Sequence, residues 1–332
     1  MQRRIILCFA LTLVVIGARP ALAQPVQPAR FEFSRIIMGS QARIVLYAAD
    51  EPQATSAAAA AFDRLNHLDA VMSDYREDSE LMRLCAKAGQ GPIPVSDDLL
   101  TVLVKSATMA DRSGGAFDPT VGPVVALWRQ ARRDQALPAS DDLTDARRLV
   151  DHAAVHIDED AGTIELAIPG MRLDLGGIGK GFAADETIKT LAGAGITSCL
   201  VDLGGDIALA DPPPGKGAWS ITVELADGST RSLRLANASI ATSGDAEQFV
   251  EIDGVRYSHI VDPHTGLGLT NRAAATVIAP SGADADALAS AACVLGTVGG
   301  IELIESIPGV ECLVSTSRDG APATSSSTGF PR

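Results

Sequence analysis

Between residues 173 and 185 the chain reads Leu173-Asp174-Leu175-Gly176-Gly177-Ile178-Gly179-Lys180-Gly181-Phe182-Ala183-Ala184-Asp185. An apolar extended run ends in four glycines spread through six residues, and the pattern turns helical at Phe182. A backbone stripped of side chains therefore meets a helix N-terminus. Glycine lets a ligand approach the main chain, the first-turn amides lack partners inside the helix, and the helix dipole favours negative charge there. Lys180 adds a positive head group. The stretch predicts an anion-holding bend, although a plain tight turn would use the same residues. It matches neither the Walker A pattern nor a clean dinucleotide fingerprint. The arrangement recurs where Cys199-Leu200-Val201-Asp202-Leu203 runs into Gly204-Gly205-Asp206, so strand-then-glycines is used twice.

Residues 1–23 carry Arg3 and Arg4, an apolar run over 5–16, and Ala21-Leu22-Ala23 before Gln24, the three parts of a cleavable secretory signal. The run is too short to span a bilayer, and no second one is expected. The mature chain is therefore expected to be soluble and periplasmic, without stable membrane insertion; a retained anchor is the alternative. A mature length of roughly 300 residues can bury a substantial core, as one domain or two intimately joined ones. Few aromatics with abundant Ala, Val, Leu and Gly suit an α/β or α+β enzyme. Net charge is −14, and loss of the three leader arginines takes the mature chain to −17. Nucleic acid is excluded as a partner for that surface. A phosphate-bearing substrate would be repelled too, unless a metal ion or local basic group offset the field. Cys85, Cys199, Cys293 and Cys312 show no CxxC spacing, so neither zinc nor a redox pair is indicated. One or two disulfides stay open, with Cys199 and Cys293 reading as buried thiols because they lie in apolar runs.

Alternation over 31–48 predicts two strands joined near Met38-Gly39-Ser40, and an Ala-rich run over 52–73 predicts a long amphipathic helix through Phe62, Leu65, Leu68 and Met72. Ser96 is placed to cap a helix over 97–112 that Gly114-Gly115 ends. The loop Gly115-Ala116-Phe117-Asp118-Pro119 leads into a helix over 124–133, and the polar run 132–142 is the expected internal seam. Segments 155–157 and 163–166 read as a hairpin, and a helix is expected over 182–192. Asp227-Gly228 and Asp253-Gly254 are hairpin turns, which makes the second half rich in antiparallel sheet. The Ser/Thr/Pro/Gly-rich end, 321–332, is expected to be disordered.

Polar groups cluster at strand ends in Thr242-Ser243-Gly244-Asp245 and in Tyr257-Ser258-His259-Ile260-Val261-Asp262-Pro263-His264. His259 near Asp262 invites a general acid/base reading, beside which a structural histidine at a turn is the plainer one. Asp286 and Ser290, four apart on a helix opening near residue 283, place a carboxylate and a hydroxyl on one face. That pair suits a hard cation such as Mg²⁺ with room left for water and phosphate; an acid serving the helix dipole and a small packing serine would look the same.

Taken in order, Met38-Gly39-Ser40, Ser73-Asp74-Tyr75-Arg76, the 115–119 loop, 174–185, Leu203-Gly204-Gly205-Asp206, Thr242-Ser243-Gly244-Asp245, His259-Ile260-Val261-Asp262-Pro263, and Asp286 with Ser290 resemble the ApbE family of FAD:protein FMN transferases. The resemblance spans nearly the whole mature chain. It implies an α+β fold of mixed, largely antiparallel sheets with flanking helices, one transferase domain over 24–320, and FAD as substrate in a cleft with one or two Mg²⁺ ions on its pyrophosphate. By position, Met38, Tyr75, Ala116, Phe117, Asp118, Asp174, Lys180 and Ile260 would contact FAD. Asp286, Ser290 and the backbone oxygen of Gly177 would hold the metal. His259 would be the base, with Asp262 orienting it or replacing it. Ser290 stands where the family commonly has threonine, and His264 where it often has arginine. The implied partner is an acceptor flavoprotein subunit of a membrane electron-transfer complex. FAD hydrolysis to FMN and AMP, and non-catalytic flavin binding, are the rival functions.

Overall fold

The computed structural model describes residues 27–224, 230–244, 248–318 and 321–331. The expected signal, the Asp227-Gly228 turn and Asp245 lie outside them. β1 (Ala29–Ile37) and β2 (Ser40–Ala48) fold back on each other at Met38-Gly39, both with positive φ as a tight hairpin turn requires. α1 (Glu51–Met72) starts where the Asp50 carboxylate accepts the Gln53 amide, and it buries Phe62, Leu65, Leu68 and Met72. A short α2 (Glu80–Cys85), capped by Ser79, was not anticipated. β3 (Ile93–Pro94) precedes α3 (Asp97–Arg112), which begins at the Ser96 cap. α4 (Gly122–Asp134) and α5 (Ser140–Arg147) flank the expected seam, yet Trp128, Ala131 and Ala146 share one apolar cluster across it.

The hairpin β4 (Val155–Asp158) and β5 (Thr163–Leu166) pairs with β3. α6 (Gly179–Gly193), β6 (Cys199–Leu203) and β7 (Asp206–Leu209) follow, then β8 (Trp219–Glu224), β9 (Thr230–Leu235) and β10 (Ala238–Gly244). β11 (Phe249–Ile252) and β12 (Val255–Ser258) form the hairpin expected at Asp253-Gly254. β13 (Val261–Asp262), β14 (Leu267–Gly268), β15 (Arg272–Ala279), α7 (Gly282–Glu305), β16 (Glu311–Arg318) and β17 (Ala321–Ser326) complete the order.

Eight strands make one sheet, ordered β1-β2-β6-β7-β10-β15-β16-β17 and antiparallel at every step. α1, α6 and α7 cover one face and form the main core. The other face meets the β8–β9 hairpin and Phe330, which pack on Val45, Leu200 and Ile240. This is the expected α+β class with largely antiparallel sheet.

Four expectations change. The run Leu173-Asp174-Leu175 joins no sheet; the Asp174 amide donates to the Pro119 carbonyl at 2.8 Å instead. Its period of two still sorts side chains, with Met171, Leu173 and Leu175 buried in the core and Asp174 turned to the cavity. α6 begins at Gly179, so Gly179 and Gly181 are helical. The end of the chain is ordered: β17 pairs with β16 from Ala321, the Ser327 hydroxyl accepts the Cys312 amide at 2.9 Å, and Phe330 is buried. Alternating small Ser, Thr and Ala residues suit an edge strand despite their disorder-prone composition. A second apolar run also exists. α7 is long and apolar enough to cross a membrane, but here it lies on β10, β15 and β16 as a core helix, broken by Gly296 at φ 71°. The four cysteines are buried thiols with no disulfide among them, and burial pushes Cys199 and Cys312 up to about 12.

Candidate active site

The first turns of α6 and α7 meet because the two helices cross with their backbones touching. A Cβ on Gly181 would sit 2.0 Å from the carbonyl oxygen of Gly282, so only glycine lets the first turns of α6 and α7 meet. Asp185 fastens the crossing by accepting the amides of Gly282 at 2.7 Å and Ala283 at 3.2 Å and the Ser281 hydroxyl at 2.9 Å. This brings Asp286 to the N-terminus of α6, where it accepts the Gly181 amide at 3.2 Å. One turn on, Ser290 faces the bend: a Cβ on Gly177 would lie 3.0 Å from its Oγ, and the Ser243 hydroxyl is 3.2 Å away on the other side.

Charge here is dense and buried. Lys180 pairs with Asp206, and although burial opposes its charge, the carboxylates of Asp286, Asp206 and Asp202 hold its ammonium above the ordinary lysine range. Asp286 is pushed up to about 7, first by burial and then by Asp206, with Lys180 and the amides of Gly181 and Lys180 pulling the other way. Among the described residues no group of three or more His, Cys, Asp or Glu side chains could cage a metal. The donors at the bend are a carboxylate, a hydroxyl and main-chain oxygens, which is hard-oxygen chemistry suited to Mg²⁺ with waters and phosphate completing its shell. A buried carboxylate with a raised pKa is what a divalent cation would relieve, so the residues present fit that ion.

A second charged node also lines the cavity. Arg129 of α4 bridges Asp74 at 2.5 Å and Asp174 at 3.0 Å, with its guanidinium 4.1 Å above the ring of Tyr75, which is 76% exposed. Burial, then the Asp74 carboxylate, push Asp174 up to about 6 against the pull of Arg129 and the Gly176 amide. Sequence reasoning missed Arg129. Its signal was present: Val125, Trp128, Arg129 and Arg132 recur at one helical face, and all four line the cavity.

The cavity has a volume of about 1930 Å³. It gathers Met38, Tyr75, Ala116, Phe117, Asp118, Asp174, Gly177, Lys180, His259, Ile260, Asp286 and Ser290. Three expected roles shift in detail. Lys180 does not present a spare charge, since Asp206 engages it. The Asp118 carboxylate is taken up by Thr120 and by His152 Nδ1 at 3.0 Å, so it holds its loop in shape at the cavity wall. Asp262 is absent from the lining, and among the described residues its carboxylate forms no hydrogen bond or ion pair with His259. Its carboxylate accepts the His264 amide at 2.9 Å and the Thr265 hydroxyl at 3.0 Å, closing the turn between β13 and β14. A main-chain oxygen orients His259 instead: Nδ1 is 3.0 Å from the Gln248 carbonyl. A carbonyl oxygen only accepts, so Nδ1 is the donor there.

The chain is 36% identical over 304 residues to an FAD:protein FMN transferase of Treponema pallidum, covering 85% of this chain and 84% of that one. It is 36% identical over 250 residues to a Vibrio cholerae FAD:protein FMN transferase, covering 73% and 74%. The fold superposes on the flavin transferase ApbE of Vibrio cholerae with TM-score 0.81 at 30% identity, over 91% of this chain and 98% of that one. It matches the apo Pseudomonas stutzeri flavinyl transferase ApbE equally well, with TM-score 0.81 at 29% identity over 92% and 97%. Residues 38–314 match the sequence profile of the ApbE family, and the chain belongs to that family.

Proposed function

We propose that this protein is an FAD:protein FMN transferase that moves FMN from FAD to a threonine or serine hydroxyl of an acceptor protein. The observation that carries the reading is the meeting of the Gly176-Gly177 bend, the α6 N-terminus and the Asp286–Ser290 pair in one cavity. The pyrophosphate is an anion, and the first-turn amides of α6 with its dipole offer it a seat. Mg²⁺, held by Asp286, Ser290 and the main-chain oxygen of Gly177, would offset the phosphate charge. Tyr75 and Arg129, with Met38 and Phe117, line the wall available to the flavin and adenine rings.

The acceptor hydroxyl attacks the phosphorus on the riboflavin side. A phosphoester forms, the bond to the bridging oxygen breaks, and AMP leaves with the bridging oxygen. His259 Nε2 takes the hydroxyl proton, held in place by the Gln248 carbonyl. The 1–23 leader pattern supports a periplasmic setting, and acceptors there would be subunits of membrane electron-transfer complexes. The test is incubation with FAD, Mg²⁺ and a candidate acceptor, followed by denaturing electrophoresis. A fluorescent acceptor band is expected. Free FMN without it would make the protein a pyrophosphatase, and unchanged FAD a binding protein.

A further inference from the structure

The cavity is roughly twice the upper end of the usual 300–1,000 Å³ for small-molecule sites, which leaves room beyond a dinucleotide. The surplus runs along the outer face of β2, β6 and β7 to the β8–β9 hairpin, lined there by Arg43, Leu200 and Ile207. Every residue of β8 from Trp219 to Glu224 borders it, whereas β9 contributes Arg234 alone. Successive side chains of a strand point to opposite sides, so a cavity touching all six must face the edge of that strand. Among the described residues β8 pairs only with β9, and no other backbone–backbone hydrogen bond reaches it. Alternate amides and carbonyls of β8 therefore point into the space that leads to the bend. Lys216 and Arg234 stand at this end and enter no ion pair among the described residues, in a chain of net charge −14.

We propose that the acceptor polypeptide docks by adding an extended segment to the edge of β8. Its main chain takes the edge hydrogen bonds, acidic side chains meet Lys216 and Arg234, and its hydroxyl residue is led toward the bend. This rests on the transferase reading above. A hydroxyl on a folded surface cannot reach a phosphorus at the floor of a cavity, but an extended segment can, and strand addition fixes its direction through main-chain bonds whatever the side chains.

The probe is a peptide of roughly twelve residues, long enough to span β8 at about 3.3 Å per residue. It is centred on the residue that mass spectrometry finds flavinylated in the transfer assay, with that residue changed to alanine. With FAD and Mg²⁺ present, the peptide is expected to slow amide hydrogen exchange at 219–224. The double variant Lys216→Glu, Arg234→Glu should raise KM for the intact acceptor about tenfold while kcat and FAD affinity hold, as loss of steering charges at a docking rim does. Transfer that proceeds with β8 unprotected and KM unchanged overturns the docking mode and leaves the transferase reading intact. Protection, in the enzyme alone, of the β8 amides that β9 leaves unpaired also overturns it, by showing that edge already taken by a second copy. FAD consumed without any modified acceptor removes the transferase reading, and the docking mode with it.

Discussion

At the scale of single residues, Asp286 meets two opposed demands. Its carboxylate is raised from 3.8 to about 7 by burial and by Asp206. A group whose folded pKa lies above its unfolded value contributes stability that is fully present below the unfolded value and lost as pH rises through the folded one. Asp286→Asn should therefore raise the Tm of metal-free protein at pH 8 and leave it unchanged near pH 4, read by melting in chelator. The same change should lower transfer by roughly 100-fold or more, because the carboxylate proposed to hold Mg²⁺ is gone. Arg129→Gln should do the reverse for stability. It leaves Asp74 and Asp174 side by side without their cation, at a cost of about 3 kcal/mol at pH 8 that shrinks as pH falls toward 6, because Asp174 without the pull of Arg129 takes its proton at higher pH. Urea unfolding at the two pH values measures it. His259→Ala should slow transfer by roughly 10²–10⁴ with FAD affinity unchanged; equal rates would remove it as the base. That Asp286 and Ser290 share a side of α7 facing the bend was legible because a spacing of four fixes one helical face. Asp262 misled because closeness in sequence is not closeness of side chains, and the turn consumed its carboxylate.

At the scale of elements, the crossing of α6 and α7 decides whether the site exists. Gly181→Ala would drive a Cβ into the Gly282 carbonyl, so the helices must part and the Asp286 contact with Gly181 must open. A cost of about 1–3 kcal/mol is expected from such overpacking, together with weakened Mg²⁺ affinity by calorimetry. Ala added at Gly193, which has open space around it, should leave affinity for the metal unchanged. Elements with local signals were read correctly. Ser96 and its helix, the hairpin at Asp253-Gly254 and the paired strands either side of Met38-Gly39 all follow from short-range chemistry. The run 173–175 shows the limit of that method. Alternation reports an extended backbone with one buried side, and pairing depends on whether another strand lies beside it.

Across the whole molecule, the strand order β1-β2-β6-β7-β10-β15-β16-β17 was not readable, because each neighbour is chosen by burial between segments far apart in sequence. The last strand shows why. Composition placed 321–332 outside the fold, yet β17 covers the edge of β16 and Phe330 fills the cluster under β8–β9. Deletion from residue 321 onward should lower Tm by several degrees and promote aggregation through the bared β16 edge, read by light scattering on heating. Cys85, Cys199, Cys293 and Cys312 are all sealed in the main core, where the helix layer meets the sheet layer. An alkylating reagent can meet them only when those layers come apart, so the rate at which the native protein is labelled counts its own openings, and the order in which the four are modified would map which part of the molecule lets go first.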